Sequence, residues 1–207
     1  MARIQWKENS LVSLKLREDL YTIALLKRSP YMWFFDISYS HGNWENVDFY
    51  KPSPLFCVLV GRAVTQKPAV EKISDKFFES LKALAIPSQW IKPLDNTADW
   101  QVDNFPWRGG RLIDLDPEVG SVDSPIVIPE LDVRKHRDLI ETCELTNMWG
   151  DQDLSDRLCR YFEAGVNRDD LKFEVFPGLW SDRDKLTLPP KNESLAECVN
   201  SSKEKKR

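Results

Sequence analysis

The sequence predicts a β-rich α+β protein, a strongly twisted antiparallel sheet or small barrel with about two to three helices packed on it. Three observations predict it. Four apolar segments with strand character fall within the first sixty residues. Two later segments repeat apolar residues every three or four positions, the period of an amphipathic helix. Eight Trp, ten Phe and five Tyr supply flat rings that suit a pleated surface or a binding face. A chain of 207 residues can bury a full core, and no flexible linker divides it. Residues 1–188 are therefore expected to form one α+β domain, with 189–207 a disordered polar tail.

The elements follow in order. Val12, Leu14 and Leu16 alternate with Ser13, Lys15 and Arg17, a half-buried strand. Glu18-Asp19 breaks the run and Tyr21 to Leu26 returns, so the pair reads as a β-hairpin whose turn type Leu20 leaves open. Arg28-Ser29-Pro30 punctuates, and Tyr31 to Ile37 is a third strand, aromatic enough to be covered on both faces. His41-Gly42-Asn43 is a turn. Leu55 to Val60 is the best candidate for a central strand.

After Pro68 the period changes. Ile73, Phe77, Leu81 and Leu84 predict an amphipathic helix over roughly Val70 to Leu84, stopped before Pro87. Gln89-Trp90-Ile91 is expected to return to the sheet. Residues 93–132 are interrupted by prolines, with Gly109-Gly110 a tight bend and Leu112 to Leu115 and Ile126 to Ile128 short strands. Trp100, Phe105 and Trp107 are expected to pin this long connection. Leu154, Leu158 and Phe162 mark a second helix, about Asp153 to Ala164, with Gly165 where a C′ glycine belongs. Leu171 to Phe176 alternates and reads as a strand.

Charge is unevenly spread. Residues 1–94 carry 13 basic and 9 acidic side chains, whereas residues 95–132 carry 9 acidic and 2 basic. The middle of the chain is thus an acidic segment. Nucleic-acid binding is disfavoured, because it needs a cationic face to release phosphate counterions. No apolar run approaches the length of a secretory or membrane-spanning segment, so the expected location is the cytoplasm, away from membranes. Cys57, Cys143, Cys159 and Cys198 form no CxxC pair and read as reduced, mostly buried thiols.

Catalytic signatures are sparse. His41 and His136 lie in no metal-ligand spacing, and no glycine-rich phosphate loop or nucleophile elbow is present. A pairing of His41 with Cys57 is set against the position of Cys57 inside an apolar strand, where burial keeps a thiol inert. No cofactor and no metal are expected. Asp114 and Asp116 flank Leu115, so on a strand both project from one face, and Glu118 keeps that parity if the strand survives Pro117. Such carboxylates can bind a cation or act as an acid/base pair, stand as plain surface, or form a docking patch that speeds association with a basic partner. The docking reading takes Trp107, Asp114, Asp116, Glu118 and Asp123 as the partner-binding residues, with the tryptophan as a buried anchor.

Trp6-Lys7, then Asn9-Ser10, Leu11 to Leu16, Asp19-Leu20 and Tyr21 to Leu26 give the opening a pattern that resembles the immunity protein 26 family of bacterial polymorphic-toxin systems. Phe34-Phe35-Asp36 is similar to the aromatic-plus-acid strand that follows there. The pattern covers the first sixty residues and departs from the family at Asn9-Ser10, where Gly-Asp is common, and at Asp19-Leu20, where Asp-Gly is common. The resemblance implies a non-catalytic cytoplasmic protein that binds and neutralises a cognate toxin, for which a basic nuclease is a natural counterpart. Two other readings stand beside it. One is an adaptor that reads a peptide through an aromatic groove of Trp33, Phe35 or Trp44. The other is an enzyme built on Asp114 and Asp116.

Overall fold

β1 (Leu11–Arg17) and β2 (Leu20–Leu26) form the expected antiparallel hairpin in a computed structural model that describes residues 4–44, 52–73, 81, 83–94, 108–117 and 123–179. β3 (Tyr31–Tyr39) and β4 (Pro54–Val60) add next to it in turn. β5 (Ala69–Lys72) pairs with the free side of β1, and β9 (Met148–Trp149) runs parallel to the end of β4. The result is a strongly curled six-stranded sheet of order β5-β1-β2-β3-β4-β9.

Both faces of this sheet are covered, which is why its strands read as nearly unbroken apolar runs. Val12, Leu14, Ala24, Leu26, Met32, Phe34, Phe56 and Val58 point to one face. Leu11, Ile23, Leu25 and Phe35 point to the other, with Trp44 and Leu81 laid over them. The period of two organises β1 to β4, with register shifts at Lys15/Arg17, Thr22/Ala24 and Phe34/Phe35. The Trp44 indole donates to the Ser13 hydroxyl at 2.9 Å and the Thr22 hydroxyl to the Ile37 carbonyl at 2.7 Å, whereas the buried Trp149 indole N–H of β9 has no partner.

Three sequence expectations are corrected. The stretch from Val70 does not begin a helix, because residues 69–72 satisfy the open edge of β1, and that long-range ladder outweighs the local period. A five-residue helix, α1 (Arg62–Gln66), precedes it instead. Residues 74–80 lie outside the described part, yet Ile73, Leu81 and Leu84 do join one apolar cluster. Gln89 to Ile91 does not return to the first sheet. It opens β6 (Gln89–Pro93), which pairs with β7 (Gly110–Asp114), and β7 with β8 (Ile126–Ile128), in a separate three-stranded sheet.

The third correction is Leu171 to Phe176, expected as a strand. Asp169 accepts a hydrogen bond from the Leu171 N–H at 2.9 Å and starts a short helix, α4 (Asp170–Val175). Six alternating residues cannot by themselves separate one helical turn from a strand. The other two described helices are α2 (Arg137–Thr142) and α3 (Asp151–Ala164). α3 ends as expected at Gly165, whose φ of 67° lets its N–H reach the Tyr161 carbonyl.

The second sheet is a middle layer. Trp90, Ile113 and Leu115 face the first sheet and meet Tyr31 and Cys57. Ile91 and Leu112 face the opposite way, onto Ile140 of α2 and Val175 and Phe176 of α4. Gly110 makes this packing possible, since a Cβ there would sit 2.8 Å from both Ile91 and Phe176. One segment ties the layers together. Residues 144–146 run along β6, with Ile91 N–H to Glu144 O at 2.9 Å and Thr146 N–H to Ile91 O at 2.9 Å, and Met148–Trp149 then joins β4. The expected tail, 189–207, falls outside the described residues, as do Cys198, Trp100 and Phe105. No described helix is long and apolar enough to cross a membrane.

Candidate docking surface

β8 is three residues of apolar chain held between Pro125 and Pro129, a setting that confines a strand to a sheet edge. Among the described residues it pairs only with β7, in the register Ile113 to Ile126 and Leu112 to Ile128. Ile128 turns inward onto the α2–α4 layer. Ile126 and Val127, which follow each other and so leave opposite faces of the strand, are 53% and 49% exposed. Large apolar side chains exposed side by side on an unpaired edge are what proteins ordinarily cover or guard.

Carboxylates gather at the start of that edge. The Asp114 N–H donates to Pro125 O at 2.9 Å, which sets the end of β7 beside the chain leading from Asp123. Leu115 is buried against Tyr31 and Trp90 while Asp114 and Asp116 stay exposed, as the alternation required. Asp123 is exposed too. These three expected residues are thus brought to one end of the second sheet, beside Ile126 and Val127. They line neither of the cavities of about 450 and 370 Å³ described for this fold. Trp107 and Glu118 lie outside the described residues.

The other expected groups are absorbed by structure. Phe35 and Trp44 are core residues, while the half-buried Trp33, whose indole N–H donates to Ala85 O at 3.1 Å, lines the cavity of about 370 Å³, so the three rings do not form one groove. His136 accepts the Asp132 N–H at 3.0 Å and closes a turn, and His41 packs edge-on against Tyr39. Burial pushes the Cys57 thiol far above its ordinary range, and burial also raises Cys143 and Cys159. No group of three His, Cys, Asp or Glu among the described residues is arranged to hold a metal ion. In the larger cavity, Lys15 pairs with Glu18, Lys67 with Asp151, and Arg17 with Glu163.

A second set of charges has no counterpart in the sequence reading. Arg157 of α3 is 2% exposed and grips Glu144 with two hydrogen bonds of 2.8 Å. Its Nε donates to Asn167 at 2.9 Å, and its guanidinium lies 3.8 Å from the centre of the Phe56 ring. Burial alone would raise the Glu144 pKa, but the Arg157 guanidinium outweighs it and holds the carboxyl below its ordinary range. Lys172, buried beside them, has its pKa lowered mainly by burial and donates to Glu141 O at 3.2 Å. Asp169 keeps one oxygen without a partner, and burial pushes it up to about 6. In sequence these residues look like ordinary helix-surface charges, and only the fold turns them inward.

The fold and its surface define a strand-rich α+β protein with two stacked sheets and, among the described residues, a short edge strand beside exposed carboxylates. The family model described as a domain of unknown function (DUF8309) matches residues 1–181, and the chain belongs to that family. No curated protein and no solved structure matches the chain.

Proposed function

We propose that this chain acts by binding another protein, and that β8 is the edge to which an extended, basic segment of that partner adds as a fourth strand. The observation that carries the reading is the exposure of Ile126 and Val127 on an edge strand beside Asp114, Asp116 and Asp123. Strand addition takes affinity from main-chain hydrogen bonds and specificity from alternate side chains, and both are on offer here. The carboxylates attract a basic partner from a distance and repel acidic ones. In its most specific form the partner is a toxin that this protein neutralises, a role supported by the similarity of the N-terminal hairpin to immunity protein 26.

The test is capture with tagged full-length protein, comparing the wild type with Val127→Lys and with a triple Asp114→Asn, Asp116→Asn, Asp123→Asn variant. A stoichiometric partner should be lost with Val127→Lys. The triple variant should slow association and remove its salt dependence. Capture that ignores both variants would move the interface elsewhere.

A further inference from the structure

β7 carries opposite charge at its two ends. Asp114 closes it beside the proposed docking edge, whereas Arg111 opens it, and Arg108 stands exposed at the bend just before. In the antiparallel register Arg111 lies directly opposite Lys92 of β6. Two residues along each strand from this pair come Trp90 and Ile113, themselves partners, which face the first sheet. Lys92 and Arg111 therefore leave that same face of the second sheet, and side chains opposed in this way start about 5 Å apart.

Like charges at directly opposed positions destabilise a sheet unless an opposite charge lies between them. Among the described residues none does. Both side chains are half-buried, neither makes a hydrogen bond or an ion pair, and the Arg111 Nε is buried with no partner. Lys15, Arg17, Lys67 and Arg160, by contrast, each sit against a carboxylate. The chain that passes Gly110 does bring Asp132 to this end of the sheet, but its carboxylate accepts from the N–H groups of Arg134 and Lys135, both at 2.9 Å. Two cations are thus held side by side, partly out of water, with their charge uncompensated.

We infer that Lys92 and Arg111 bind the phosphate of a phosphate monoester. Such a group carries about −1.5 to −2 charges at neutral pH and so matches two cations, whereas a carboxylate or a phosphate diester brings only one. The guanidinium offers parallel N–H donors to two phosphate oxygens, and the ammonium reaches a third. Neither residue lines either of the two cavities, so the phosphate is the part recognised and the esterified group projects outward. The pair shares no residue with β8, and the inference does not depend on the docking reading.

Unfolding of the full chain tests it, in chloride buffers of matched ionic strength containing inorganic phosphate, glycerol 3-phosphate or dimethyl phosphate. Inorganic phosphate and the monoester should raise the unfolding midpoint saturably, and dimethyl phosphate should act no differently from chloride. Lys92→Glu puts a carboxylate opposite Arg111. It should unfold at a higher midpoint than the wild type when phosphate is absent, and should weaken monoester binding by roughly tenfold or more. Lys92→Gln, which removes the repulsion without adding a pair, should also lose the response. A monoester response no larger than that to dimethyl phosphate or chloride would overturn the inference, as would one that both variants keep. A response to inorganic phosphate alone would overturn the assignment to a monoester.

Discussion

On β1 to β4 of the six-stranded sheet the only buried polar side chains are Ser13 and Thr22, while the layer of β6 to β8, α2 and α4, together with the side of α3 that faces it, buries Glu144, Arg157, Asp169 and Lys172. The two regions are closed by different forces. In the first, apolar area leaves water and each methylene contributes on the order of 0.8 kcal/mol, with little sensitivity to pH or salt. In the second, charges are removed from water, and they are tolerable only while each keeps its partner. The segment Glu144–Trp149 belongs to both, which makes Arg157 the pin between them.

The largest expected effect comes from pulling that pin. Arg157→Ala strands the Glu144 carboxylate and should cost about 3–5 kcal/mol in urea unfolding. Replacing both members with apolar residues, Glu144→Leu with Arg157→Met, should recover most of it, and failure to recover would show that Arg157 acts by more than charge. Leu14→Ala in the sheet should cost about 2–5 kcal/mol, and no second deletion should rescue it. Asp169 gives the comparison a pH signature. Its pKa in the folded protein, about 6, lies above the unfolded value, so its ionisation destabilises. That cost is absent near pH 4, grows between about pH 4 and 6, and is complete above. Asp169→Asn should therefore stabilise by on the order of 2 kcal/mol at pH 7. The difference should shrink as pH falls to 4, whereas Leu14→Ala should show the same loss at both. Gly110→Ala, which forces a methyl between Ile91 and Phe176, should cost about 1–3 kcal/mol.

The same contrast explains what could be read beforehand. In the first sheet, Val12, Leu14, Ala24 and Leu26 obey a local rule whose outcome does not depend on distant residues, and the hairpin, β3 and β4 were legible from it. The C-cap at Gly165 was legible for the same reason. β5 was not, because residues 69–72 become a strand only when β1 offers an edge. Nor was α4, where one capping carboxylate on Asp169 decides between two conformations of an alternating hexapeptide. The parity of Asp114 and Asp116 could be read, since Leu115 between them had to turn inward. Ile126 and Val127 carried a usable signal, an apolar tripeptide between prolines. Their exposure depends on how far the second sheet extends, which no local pattern states.

The proposed docking edge lies on the second sheet and makes the smallest demand on stability. Val127→Lys, at a half-exposed position, should change it by no more than about 0.5 kcal/mol. That separation makes paired capture the most direct test of the account. Wild-type protein and Val127→Lys, shown to unfold at the same denaturant concentration, are each used as bait under low and high salt. The account predicts one stoichiometric protein partner with a basic segment, held by the wild type, weakened by salt and absent from the variant. A partner held equally by both baits, or no protein partner for either, would contradict it.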